Sequence, residues 1–69
     1  MGHVYKITEI VGSSSKGFSE AVQEAVKRAS KTLRNVGWFE VVEQRGLIKE
    51  GQVAEFQVTI KVGFRLDED

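Results

Sequence analysis

A chain of 69 residues, 41% hydrophobic and 29% charged, with neither Cys nor Pro, holds one small domain, expected over residues 1–69, and leaves no room for a second. The missing cysteines exclude a disulfide framework and a thiolate metal site, and a single histidine, His3, cannot build an imidazole cage. Ten basic residues balance ten acidic ones and no apolar run approaches the ~18 residues of a membrane span, so neither a nucleic acid nor a membrane is the expected partner, and the cytoplasm is the expected address.

From His3 to Val11 the run HVYKITEIV alternates β-branched and aromatic residues with polar ones, which predicts a first strand. Tyr5, Ile7 and Val11 share one of its faces; Val4, Lys6, Thr8 and Ile10 share the other. The small residues from Gly12 to Gly17 end that strand and offer Ser14 or Ser15 as a helix N-cap. Phe18, Ala21, Val22, Ala25, Ala29, Thr32, Leu33 and Val36 then recur at three- and four-residue steps, predicting an amphipathic helix of about five turns that stops at Gly37. Its charges agree with the helix dipole: Glu20 and Glu24 come early, Lys27, Arg28, Lys31 and Arg34 late, with Glu24 and Arg28 spaced to pair.

Trp38 to Arg45 reads as a second strand, with a bulge or bend expected at Gly46. Lys49-Glu50-Gly51-Gln52 makes a hairpin turn. In the last strand Ala54, Phe56, Val58, Ile60, Val62, Phe64 and Leu66 alternate with Glu55, Gln57, Thr59, Lys61 and Arg65, one face apolar and the other polar. Asp67-Glu68-Asp69 is expected to fray. The helix returns the chain to its starting end, so the long third strand fits between the other two, antiparallel to both. The fold class is α+β: a β-α-β-β protomer with a three-stranded antiparallel sheet in order 1-3-2 on one helix. So small a core offsets the entropy of ordering the chain only narrowly, and the sheet has two free edges and an uncovered face, so a homo-oligomer is expected.

Catalytic constellations are scarce. One His and no Cys exclude the usual nucleophile-base arrangements, and Ser13, Ser14 and Ser15 near Lys16 read as turn and cap chemistry. Glu40 and Glu43, at i,i+3 in a strand, are expected on opposite faces and form no acid/base pair. Gly12 to Gly17 lies between strand and helix but lacks the Lys-Ser/Thr that a triphosphate loop requires. Lys16-Gly17-Phe18 begins like an RNA-recognition motif and continues wrongly with Ser19-Glu20; the basic residues late in the helix read as a solvated face. The protein is therefore expected to be a binding protein and not an enzyme. Trp38 is the one feature with two readings. It plugs a core or subunit interface, or it forms an aromatic platform beside Gln57, whose carboxamide offers a donor and an acceptor to the imide edge of a flat heteroaromatic ligand.

Trp38-Phe39-Glu40-Val41 after a Gly-terminated helix, Arg45-Gly46, Phe56-Gln57-Val58 running into Lys61-Val62-Gly63-Phe64-Arg65-Leu66, and the opening Val4-Tyr5-Lys6 through Ile10-Val11-Gly12-Ser13-Ser14 resemble the bacterial dodecins over nearly the whole chain. The resemblance implies a hollow homododecamer that binds FMN or riboflavin and serves in flavin storage, sequestration and photoprotection. It implies that Trp38 stacks on the flavin, that Gln57 bonds the pyrimidine edge, and that Arg45 matches a position associated with the FMN phosphate. It also implies coenzyme A as a second ligand, with Arg28, Arg65 and His3 as candidates. Gly37 and Leu47 depart from the residues common in relatives. Two other readings stay open: a structural or adaptor oligomer with no physiological flavin, and a flavin-dependent enzyme, which would need an acid or base beside the ring.

Overall fold

The computed structural model describes residues 2–67. Four elements follow one another: β1 (Tyr5–Ser14), α1 (Phe18–Thr32), β2 (Val36–Lys49) and β3 (Gln52–Arg65). They form one antiparallel sheet in the order β1-β3-β2 with α1 across one face, the expected architecture. The buried hydrophobics are Ala21, Ala25 and Ala29 on the helix and Val58, Ile60 and Val62 on β3, with Ile10, Val22, Val26, Leu33 and Val36 packed around them. An alanine at every fourth position gives α1 a low ridge, and the helix settles close to the sheet. Gly12 of β1 lies directly beneath it: a Cβ there would collide with the carbonyl oxygen of Ala21 and stand 2.7 Å from the Ala25 Cβ.

The boundaries differ from those expected at both ends of the helix. Ser14 does not cap it; its hydroxyl accepts the Lys16 N–H at 2.9 Å, closing a local turn, and Gly17 stands at the N-cap with no side-chain bond. At the far end α1 stops at Thr32, well before Gly37. Leu33 is already extended, and Asn35 takes the left-handed conformation (φ 61°) that turns the chain into β2. The apolar spacing ran on because Leu33 and Val36 still pack on the core, though not as helix. Asp67, expected to fray, is held: its carboxylate accepts the Asn35 amide at 3.0 Å and pairs with Arg34 at 3.1 Å. Glu68 and Asp69 lie outside the described residues. Glu24 and Arg28 pair as expected, at 2.9 Å on the exposed helix surface.

The β2–β3 hairpin turns at Glu50 and Gly51, both with positive φ (53° and 77°), the geometry that matches strand twist in a two-residue loop. Pairing with β1 ends at Phe56, so the hairpin runs on past its neighbours and draws the molecule out to 54 × 20 × 13 Å. The bulge falls elsewhere than Gly46. Register breaks occur at Val36/Trp38, Val41/Glu43 and Leu47/Ile48, while Gly46 pairs regularly with Phe56.

Candidate functional site

The sheet face opposite α1 has no cover. Register places Tyr5, Ile7, Glu9 and Val11 of β1, Gln57, Thr59, Lys61, Gly63 and Arg65 of β3, and Trp38, Glu40, Glu43 and Arg45 of β2 upon it. The extra residue at Val42 decides which β2 side chains reach this face. Strict alternation predicts Trp38, Glu40, Val42 and Gln44 together; the bulge reverses the phase after Val41. Glu43 then stands opposite Thr59 and Arg45 opposite Gln57, while Gln44 turns to the helix side beside Phe39 and Val41. Glu40 and Glu43, expected on opposite faces, consequently share this one, paired with Lys61 and Thr59.

Trp38 sits at one end of the open face, opposite Gly63. Its indole lies over the strand at Gly63: a Cβ built there would run into Cε2 and Cζ2 of the ring, so only glycine permits this seat. Tyr5 meets the indole edge-on with centroids 5.2 Å apart, and His3 meets Tyr5 in the same manner at 6.5 Å. The seat thus immobilises the ring from beneath and from one side, yet 42% of Trp38 stays exposed. Arg65 follows two residues after Gly63 on the same face, opposite Tyr5.

Arg45 and Gln57 form a second group. Arg45 Nη1 donates to Gln57 Oε1 at 3.2 Å, and its Nη2 donates to Glu43 Oε1 at 2.6 Å and Thr59 Oγ1 at 2.8 Å. Thr59, only 6% exposed, lies under this guanidinium. The expected platform of Trp38 beside Gln57 is corrected here: they share a face, but Gln57 and Gly63 are six residues apart along β3, roughly 20 Å at strand rise. A three-ring heteroaromatic ligand cannot touch both in one protomer.

The candidates therefore divide among three places. His3 and Arg65 stand at the Trp38 end, Arg45 and Gln57 toward the hairpin, and Arg28 on α1, on the other side of the sheet. There Arg28 and Glu24 border a groove against Thr8, Gly12 and Ser13 of β1. Sequence reasoning did not identify Gly63, Tyr5, Glu43 or Thr59. A glycine inside a strand does signal a close approach, but nothing local names the approaching group. Among the described residues no group of three or more His, Cys, Asp or Glu side chains gathers where it could hold a metal ion, and no helix is long and apolar enough to cross a membrane.

On the helix side, α1 lies over β1 and β3 and, beyond Val36, leaves most of β2 uncovered. Phe18, Val22, Val26, Phe39 and Val41 border an open groove of about 690 Å³, with Phe39 48% exposed. Ile7, Val11, Val42, Leu47, Ile48 and Val53 are exposed as well, so apolar side chains stay uncovered on both sides of the sheet.

Comparison with known proteins gives one family. The Dodecin family model matches residues 4–67. A dodecin from Thermus thermophilus is 56% identical over 68 residues, covering 99% of each chain. The solved dodecin from Streptomyces davaonensis superposes with a TM-score of 0.95 at 54% identity, covering 99% of this chain and 100% of that one. A more distant relative, the calcium dodecin of Mycobacterium tuberculosis, is 27% identical over 63 residues, 91% of this chain and 89% of its own.

Proposed function

The chain belongs to the dodecin family, and from that premise we propose that it is a flavin-binding protein, acting as a homododecamer that stores and sequesters FMN or riboflavin and shields it from light. The observation that carries this reading is the Trp38 indole, seated on Gly63 and braced by Tyr5 with its outward surface open. A ring so held has lost its rotameric freedom before any ligand arrives, so stacking on it costs little ordering entropy. Base–aromatic stacking gives the scale for such a contact, about 1–3 kcal/mol. The separation of Trp38 from Gln57 supports the oligomeric half of the proposal, because a ligand that both stacks on the indole and bonds the carboxamide must draw them from different copies. Coenzyme A, with Arg28, Arg65 and His3 around it, belongs to the same proposal as a second ligand; these residues are spread over both faces of the sheet, so its site too would join copies.

Bound flavin supplies the photochemistry, since its excited ring system is an electron acceptor. The protein supplies an indole donor in contact with it, a carboxamide for the pyrimidine edge and, on assembly, a space closed to water. Glu43 and the Thr59 hydroxyl of the open face are both engaged by Arg45, an arrangement that supports a binding role.

The test is flavin emission. FMN or riboflavin added to the protein should lose most of its fluorescence and co-elute as a yellow species at the mass of a dodecamer of the 7.7 kDa chain. Trp38→Phe should keep the oligomer and restore emission severalfold, because a phenyl ring is a poor electron donor. Free-solution emission at saturating wild-type protein defeats the proposal. A structural oligomer with Trp38 as interface packing is then the better reading, and the exposed apolar surface already described is what favours it.

A further inference from the structure

Arg45 carries three hydrogen bonds within its own protomer, to Gln57, Glu43 and Thr59, and this arrangement bears on what Gln57 is able to recognise. A guanidinium has donors only, so the atom of the Gln57 carboxamide that faces it must be the oxygen. The amide NH2 is consequently turned away from Arg45, and it has no partner among the described residues. Left alone, a glutamine terminus flips freely and reads either a donor or an acceptor on a ligand. Here the flip is blocked, and the block is anchored: Glu43 takes Nη2 at 2.6 Å, Thr59 takes it at 2.8 Å from beneath, and the Arg45 side chain is 36% exposed. The planar fork is essential to this, since it bonds the carboxamide with one nitrogen and the two anchors with the other.

Resting on the flavin-binding reading above, we infer that Arg45 is a positioning residue that fixes Gln57 as a hydrogen-bond donor, so that the site selects ligands presenting a carbonyl oxygen to it. Glu43 is the second part of the device, since it orients Arg45. The isoalloxazine pyrimidine edge carries two carbonyl oxygens flanking its N3–H, and it is an oxygen that Gln57 engages. This assigns Arg45 a task independent of the ligand's phosphate, because three of its five N–H donors are directed to Gln57, Glu43 and Thr59.

Two ligands separate the roles. Affinities of riboflavin, which has no phosphate, and FMN are measured by fluorescence quenching for the wild-type protein and Arg45→Lys, with oligomeric state monitored by size exclusion. Lysine keeps the charge and loses the fork. A positioning role predicts that both flavins weaken by a similar factor, about fivefold for one lost hydrogen bond. It also predicts that the flavin carbonyl stretch, followed by infrared difference spectroscopy, moves toward its non-bonded frequency. Glu43→Gln, which leaves Arg45 in place but loosens its anchor, should shift both affinities in the same direction by a smaller factor, and it serves as the readout if Arg45→Lys fails to assemble. Riboflavin affinity unchanged in Arg45→Lys, whether FMN weakens or not, overturns the inference. A wild-type protein that binds neither flavin instead defeats the function proposed above, so the two failures are distinct.

Discussion

Gly63 is the residue on which the aromatic site depends most directly. A methyl group there would occupy the space of the Trp38 ring, which must then tilt off the strand and away from Tyr5. Gly63→Ala should therefore weaken flavin binding by about tenfold, equivalent to ~1.4 kcal/mol, and shift the tryptophan emission, while the far-ultraviolet circular dichroism stays that of the parent. A quenching titration beside the parent checks this; unchanged affinity would mean that the seat is incidental. At this scale the sequence was only partly legible. Trp38, Arg45 and Gln57 stood out by residue type, but alternation could not say which of them meet. Counting back from the turn at Glu50–Gly51 would have set Trp38 opposite Gly63 and far from Gln57, so that signal was present. The pairing of Arg45 with Gln57 was less accessible, because the count from the turn sets Arg45 opposite Phe56 until the register break at Leu47/Ile48 moves it by one residue, and Val-Ala-Glu looks like any β sequence.

Among the elements, α1 fits closely on β1, leaving no room for a Cβ on Gly12 beside the Ala21 carbonyl and the Ala25 methyl. Gly12→Ala should force the helix away from the sheet and cost about 1–3 kcal/mol, read as a lower midpoint in urea denaturation. A midpoint equal to the parent's would show that α1 shifts without loss. Strand order and the amphipathic helix were readable because long, regular patterns of period 2 and period 3.6 dominate β3 and α1. The helix ends were not, since an apolar residue packed on the core in extended conformation, such as Leu33, is indistinguishable by spacing from one packed in a helix. The signals that decided the ends were Asn35, which adopts the left-handed turn, and the Ser14 hydroxyl, which closes a turn before the helix begins.

For the whole molecule, the governing observation is how little of its apolar surface one chain conceals. Phe39, Val41 and Phe18 flank the bare side of β2, and Ile48 near the hairpin tip is 77% exposed. A charge placed in this groove should prevent burial against another copy. Phe39→Asp is expected to elute as small species and, because the ligand must bridge copies, to leave added FMN fluorescent. Size exclusion with in-line emission measures both at once; a fully assembled Phe39→Asp protein would show that the groove is not an interface. The need for association was legible from composition alone, through the missing staples and the small core, but the groove itself was not, since it exists only because α1 covers two strands of three.

The way Trp38 rests on the backbone also sets a limit on loading. With one surface of the indole pressed against Gly63, each polypeptide has a single aromatic plane to offer, so titration with FMN should saturate at no more than one equivalent per chain however many chains assemble. A second chromophore in the same pocket would then need an indole from another chain.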